Sequence, residues 1–503
     1  MTFTTDIIDL QQISLRFIHA SDLHLERTIE GVAESPGHWE ERMLDVSKRA
    51  AQRLFQKCID EAVDFLILSG NVVHAQLAPP GIFLFLLEQF ERLQKAGIAV
   101  YWAGGELDSP EDMPHAFPMP DNVHRFPSNT IQEFYVHRKA ADEQRVEHTS
   151  DTLPIAKLVG MSRNQHTRRI RSSAFPSTPG GVFSIAVANG DVEPETLSQR
   201  YIDYWAMGGS NYRQTVQGNV RNKRNEQPAE GRERKEIPPP YIVHYPGATL
   251  ARTPADIDQT NKGRYGATLV EVILDESGRP VEAPTLTSFS TSPIRWVEDC
   301  VVLEASDDAV KLADELRERL KSYREISQRG ADDLLINWLI DIPPGPLAHQ
   351  LRRSGLAQDL LSEHRALYSQ DDPMTWSVSI SVLVPDQLPK IHYEQQTILG
   401  DFLRSVKHFQ DNPQEIIHLG GYIPKHWSAS VESSATITQP WEDESARQNI
   451  IQQMLFAEKV KDEIVDAEDK EAKERWVQSS DQSKTQQQVL CESAMTGIEL
   501  FSR

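Results

Sequence analysis

Cysteine is scarce in this chain: three residues, Cys58, Cys300 and Cys491, in a length of 503. So few, placed so far apart, exclude a disulfide framework and a cysteine metal cluster, and they suit a reducing compartment. Long apolar runs are missing as well. The longest, Ile82 to Leu87, falls far short of the ~20 residues a membrane span needs. Basic charge is in deficit, with 52 Lys and Arg against 74 Asp and Glu and a net charge of −22. Such a field repels nucleic acid and anionic membrane, so any DNA contact has to come from local basic patches. Met1 to Gln12 carries acids and no basic residue, unlike a signal peptide. Together these absences predict a cytoplasmic protein without membrane association. The length itself allows two or three domains, each with an ample core.

What is present is an alternation of short apolar runs and helical spacings. Arg16 to Ala20 reads as a strand, with Ser21-Asp22-Leu23-His24 turning off its carboxyl end. Pro36 to Ala62 has helical spacing, and Asp64 to Ser69 is a continuous apolar run closed by Gly70, as in a strand buried on both faces. Pro79 to Ala96 is helical, with Pro in the first turn and Gly97 as its stop. Ile98 to Ala103 is a third strand, followed by the loop Gly104 to Pro110. This order predicts a βαβαβ unit with a parallel sheet, and ligands bind outside the carboxyl ends of such strands. Those ends carry Asp22 and His24, then Gly70-Asn71, then Glu106 and Asp108. An Asp and a His two residues apart can both face one cation.

These motifs resemble the calcineurin-like metallophosphoesterases, which have Asp-x-His, Gly-Asp and Gly-Asn-His-Asp at the corresponding strand ends. The wording His19-Ala-Ser-Asp-Leu-His-Leu is similar to the SbcD-like DNA repair exonuclease branch. The likeness continues through Phe183–Asn189, Asp203–Asn211, the Tyr245-Pro246-Gly247 strand end and Trp296, and it runs from about Leu15 to about Val406. The resemblance implies an α/β fold with a metallophosphoesterase-type β-sandwich core flanked by helices, a small α/β capping domain and a C-terminal helical tail. The expected segments are a core over 12–292, a cap over 293–412, a linker over 413–440 and a helix and tail over 441–503. Within the cap, Ser306 is the expected cap of a helix whose buried stripe includes Leu312, Leu316 and Leu320, and Gly355 is an expected break in a second helical stretch.

In that family two metal ions about 3.5–4 Å apart share a bridging carboxylate. The resemblance carries Asp22 and His24 over as metal ligands. At the other positions this chain has Asn71 for the bridging Asp, Glu106 for the Asn and Leu107 for the proton-handling His. Asn189, Gly209 and Asn211 stand at the remaining His positions. Asn71 offers no second anion, Leu107 no proton and Gly209 no side chain. The two-metal centre is therefore not expected, and the cofactor expectation is none, or one weakly bound Mg²⁺ or Mn²⁺. The alternative is an active, rebuilt site, in which Asp22, His24, Asn71, Glu106 and Asn211 hold one hard ion, with His74 or His115 replacing lost imidazoles.

A basic run holds Arg163, Arg168, Arg169 and Arg171 with no acid among them. It is a candidate for phosphate contact, with a solvated loop as the bland explanation. Glu442 to Trp476 has helix-favouring composition and an interrupted apolar stripe. The resemblance points to DNA ends as ligand and to docking of 441–476 on an SbcC-type coiled-coil ATPase. Two functions follow: a non-catalytic scaffold or DNA-end-binding subunit, or a nuclease or phosphodiesterase with altered metal usage.

Overall fold

The computed structural model describes residues 13–32, 35–114, 117, 119–128, 130–137, 154–163, 169–178, 181–192, 194–218, 241–253, 265–330, 332–383, 393–394, 396–411, 491, 493–495 and 498. His115, Arg168, the side chain of Arg169, the linker over 413–440 and the helix expected over 442–476 lie outside them. By compactness the chain divides into two units. The first comprises Met1–Val297, Ser322–Ile336 and Tyr368–Val378, and the second Glu298–Lys321, Asn337–Leu367 and Ser379–Arg503. Among the described residues no helix is long and apolar enough to cross a membrane.

In chain order the first unit runs β1 (Ile13–Ala20), α1 (Gly37–Leu44), α2 (Val46–Asp60), β2 (Phe65–Leu68), α3 (Pro80–Lys95), β3 (Ala99–Ala103), β4 (Val123–Phe126), β5 (Gln132–His137) and β6 (Pro154–Gly160). It continues with β7 (Arg169–Ile170), β8 (Phe183–Asn189), β9 (Asp191–Val192), β10 (Tyr204–Gly208), β11 (Gln214–Gly218), β12 (Tyr241–Tyr245), β13 (Gly266–Leu274) and β14 (Thr285–Ser290). Two six-stranded sheets result, ordered β14-β13-β1-β2-β3-β4 and β11-β12-β10-β8-β6-β5. β1 to β4 pair in parallel, as do β6, β8, β10 and β12, and antiparallel strands occupy the flanks.

The apolar runs are continuous because both faces of each sheet are covered. Phe17, Phe65, Ile67 and Tyr101 point between the sheets, meeting Ile185, Val187, Tyr204 and Ala206. Their neighbours Ile18, Leu66, Leu68 and Trp102 point outward, against Leu54, Phe55, Leu86 and Phe90 of α2 and α3. The second sheet covers its outer face with Phe175, Leu197 and Ile202, which pack on Ala186, Trp205 and Met207. The architecture is a mixed α/β sandwich flanked by helices, as the motif order implies.

Further strands β15 (Ile294–Val302), β16 (Asp333–Asp341) and β17 (Thr375–Val382) form a three-stranded sheet in that order. The accompanying helices are α4 (Ala309–Gly330), α5 (Pro346–Arg353) and α6 (Leu356–Leu367), with Gly355 between the last two at φ +83°. That left-handed conformation is the break its sequence position implies. One local expectation is corrected. Asp308, not Ser306, caps α4: its Oδ1 accepts the Lys311 N–H at 2.9 Å and its carbonyl accepts that of Leu312. The chain has three successive candidates, Ser306, Asp307 and Asp308, and Asp307 is already engaged by the Glu304 N–H. In the second unit, α7 (Ile398–Asp411) buries Leu399, Leu403 and Val406 against Ala494, Met495 and Ile498.

Candidate functional site

The carboxyl ends of β1 and β2 are zipped together by backbone. Asp22 N donates to Gly70 O at 3.0 Å, His24 N to Asn71 O at 3.0 Å and Leu25 N to Val72 O at 3.1 Å. Asp22, His24 and Asn71 all have positive φ, at 54°, 46° and 55°. Asp, Asn and His tolerate this region better than other side chains, yet each such residue is still uncommon and strained. Three at one pair of strand ends mark a loop geometry held by its surroundings. Gly70 is fixed by close approach, since a Cβ there would lie 2.6 Å from both the Asn189 Nδ2 and the Gly105 N.

What holds these loops is Asp108. Wholly buried, it accepts N–H groups from Asn71 (2.8 Å), Val72 (3.0 Å) and Gly105 (2.6 Å), and from the Trp102 indole (2.9 Å). Burial pushes its pKa up, and the donors pull it back. The Arg125 guanidinium lies 4.9 Å from the Trp102 ring and adds a nearby positive charge. A single carboxylate thereby ties the end of β2 to the end of β3.

At the centre, Asp22 is 2% exposed. Its Oδ1 accepts the Asn71 Nδ2–H at 2.8 Å, and its Oδ2 accepts the Gly209 N–H at 3.0 Å. Burial raises its pKa, opposed by these donors and by His24. The Asn71 Oδ1 in turn takes a long contact, 3.4 Å, from the Leu107 N–H. Asn189, fully buried, donates Nδ2–H to the Ser69 carbonyl at 2.7 Å, and its Oδ1 has no hydrogen-bond partner among the described residues. A Cβ on Gly209 would lie 3.1 Å from that oxygen. So Asp22, Asn71, Asn189 and Gly209, read from four separate motifs, meet at one place.

Of the remaining sequence candidates, His24 borders this centre. His24 Nε2 is 3.8 Å from Asp22 Oδ1, and its Nδ1 is 3.7 Å from Glu26 Oε1. Glu26 also accepts the His74 N–H at 2.8 Å, and the buried His74 Nδ1 has no hydrogen-bond partner among the described residues. Asn211 is exposed, and its carbonyl accepts the Ala248 N–H. Arg171 is exposed as well. Glu106 is paired with Arg163 at 3.1 Å, so a candidate metal ligand and a candidate phosphate-binding residue form one ion pair. Among the described residues no group of three or more His, Cys, Asp or Glu is placed to hold a metal ion.

Sequence reasoning missed the layer below the site. His19 Nδ1 lies 3.1 Å from the Tyr204 hydroxyl and its Nε2 2.9 Å from Ser69 Oγ. His244 bridges Thr215 and Thr268 at 2.8 Å each. The two imidazoles, 5.6 Å apart between centroids, sit between the sheets. The only available signal was polar residues inside apolar strands, which does not identify their partners.

Comparison with known proteins agrees with this architecture at a coarse level. No family model matches the chain. It is 28% identical over 265 residues to an uncharacterized metallophosphoesterase, YhaO of Bacillus subtilis, and the aligned part covers 50% of this chain. The chain spans about half, 56%, of that relative's length. Sandwich, strand-end motifs and relative together support the metallophosphoesterase superfamily.

Proposed function

We propose that this chain is a non-catalytic, metallophosphoesterase-fold protein of DNA repair or DNA end processing, acting as a scaffold or DNA-end-binding subunit. The observation that carries the reading is the Asn71 amide. A bridging carboxylate would turn oxygen lone pairs toward two cations, whereas Asn71 turns an N–H toward Asp22. Each Asp22 oxygen accepts one N–H, Oδ1 from Asn71 and Oδ2 from Gly209. Leu107 and Gly209 stand where proton transfer and an imidazole ligand are needed. These residues do not fit a pair of divalent ions. The DNA assignment rests on the wording of the first motif and on the basic run that contains Arg163 and Arg171.

The test is hydrolysis of bis(p-nitrophenyl) phosphate with added Mn²⁺. No turnover above background is expected. Turnover by the unmodified protein that disappears in Asp22→Ala would replace this reading with that of a rebuilt, active site.

A further inference from the structure

We propose that the strand ends around Gly209 hold one small monovalent cation, of the Na⁺, K⁺ or ammonium class, with Asp22 as its counter-ion and the Asn189 amide oxygen as a neutral donor. The inference deepens the non-catalytic reading and rests on it: where a two-metal site needs several anionic and imidazole ligands, the oxygens gathered here suit a single charge.

Two buried acceptors border Gly209, one from each sheet. Asp22, after β1, takes the Gly209 N–H on Oδ2 and the Asn71 amide on Oδ1. One N–H per oxygen leaves lone pairs on both. Its one ionic neighbour among the described residues is His24, at 3.8 Å. A carboxylate this deeply buried is ordinarily paired with a cation. Asn189, at the end of β8, is wholly buried, and its orientation is not free. The amide turns Nδ2 to the Ser69 carbonyl at 2.7 Å, and a flip would set two oxygens face to face. Oδ1 is thereby directed at Gly209, 3.1 Å from where a Cβ would stand, and it has no partner among the described residues. A buried acceptor in that position calls for a donor or a cation. Asp108 makes the contrast: it is also wholly buried, but four N–H groups surround it and Arg125 stands nearby.

The charge at this place selects the ion. Of the side-chain oxygens of Asp22, Asn71 and Asn189, only those of Asp22 are anionic. Glu26 faces the other ring nitrogen of His24 and accepts the His74 N–H, while Glu106 is paired with Arg163. A divalent ion would keep uncompensated charge in a buried place, and Mg²⁺ gives up its water reluctantly. A monovalent ion balances Asp22, and oxygen donors suit a hard cation. The same donor set explains why, among the described residues, no group of three His, Cys, Asp or Glu is placed for a metal ion. An ion held there joins the end of β1 to the ends of β8 and β10, and so one sheet to the other.

The experiment uses the full chain in EDTA, at an ionic strength held constant with tetramethylammonium chloride, whose cation is too bulky for such a cradle. Denaturant midpoints are measured against added Na⁺, K⁺ and NH₄⁺, and binding is measured directly by equilibrium dialysis with radioactive sodium and rubidium. At least one small ion should raise the midpoint saturably and bind at one per chain, and the order among the three separates ammonium from the alkali ions. Asp22→Asn, nearly the same in shape, should weaken that binding on the order of 10-fold or more. If this variant fails to fold, dialysis of the unmodified protein against Mn²⁺, without EDTA, still decides, because a site for one charge keeps its monovalent ion. No saturable binding of any small monovalent ion, or unchanged binding in folded Asp22→Asn, overturns the proposal, and the Asn189 oxygen then takes water alone. Mn²⁺ that binds and excludes the monovalent ion overturns it too. Accompanied by Mn²⁺-dependent turnover, that result sinks the non-catalytic reading as well; without turnover it sinks this inference alone.

Discussion

The side-chain amide of Asn71 donates to a carboxylate oxygen of Asp22 across 2.8 Å, joining the ends of β1 and β2 through neutral chemistry. This contact predicts the outcome of restoring an acid. Asn71→Asp places a second carboxylate against Asp22 and removes the donor of a nearly buried acceptor. The expected loss is about 1–3 kcal/mol, read as a lower denaturant midpoint at neutral pH, with no gain of phosphodiesterase activity. An unchanged midpoint would mean that the Asn71–Asp22 contact does not hold these loops.

Asp108 makes a second, sharper case. An amide at that position can offer one acceptor oxygen to a nest of four N–H donors, and its own N–H groups would face others. Hydrogen bonds to a charged group contribute about 1.5–3 kcal/mol each, so Asp108→Asn should cost at least about 3 kcal/mol. Trp102 donates its indole N–H to this carboxylate, so its fluorescence reports the loss directly. A variant with wild-type fluorescence and stability would contradict the role assigned here.

The contrast between these acids and the rest shows what could be read in advance. Phe65 to Leu68 is legible as a strand because both faces are buried and no polar position interrupts it. The expected single helix over 36–62 is two helices, broken at Asp45, whose φ of −92° and ψ of 6° no Gly or Pro announces. The convergence of Asn71, Asn189 and Gly209 followed from their positions at strand ends. The Arg163–Glu106 pair did not, because it joins the ends of strands in different sheets. Both residues were visible as isolated signals, one basic and one acidic, and only the sandwich brings them within 3.1 Å.

The histidine layer predicts a pH dependence. Burial lowers the His19 pKa well below its usual value, with His244 adding to it; burial lowers that of His244 to about 3, aided by the charge of Arg213. Both are therefore neutral when folded and take up protons when unfolded. Their contribution is fully present above the unfolded pKa of about 6.5 and is lost as pH falls below it, for His244 down to about 3. Each histidine should add a slope of about 1.4 kcal/mol per pH unit in that window. Denaturant midpoints measured from pH 7 to pH 4 should fall, and His244→Gln should flatten the curve by one proton's worth. A midpoint independent of pH across this range would show that the rings titrate normally.

The last prediction separates two roles at the C-terminus. The resemblance points to residues 441–476 as a docking segment for a coiled-coil ATPase, and those residues lie outside the described part of the chain. The end of the chain behaves differently: Met495 is wholly buried, and Ala494 and Ile498 are nearly so, against Leu399, Leu403 and Val406 of α7. A single helix with one apolar face is unstable until that face is covered, so α7 and the trio Ala494, Met495 and Ile498 stabilise each other. Truncation after residue 490 should expose that face, and Met495→Ala alone should cost about 2–5 kcal/mol in the second unit. Both effects are measurable as faster proteolysis within α7. An internal deletion of 441–476 leaves this packing in place. It should keep protease resistance and abolish pull-down of the ATPase. If the internal deletion also renders α7 labile, the segment belongs to the protein's own body and the docking assignment fails. If truncation at 490 leaves α7 resistant, the packing of Met495 contributes little in solution.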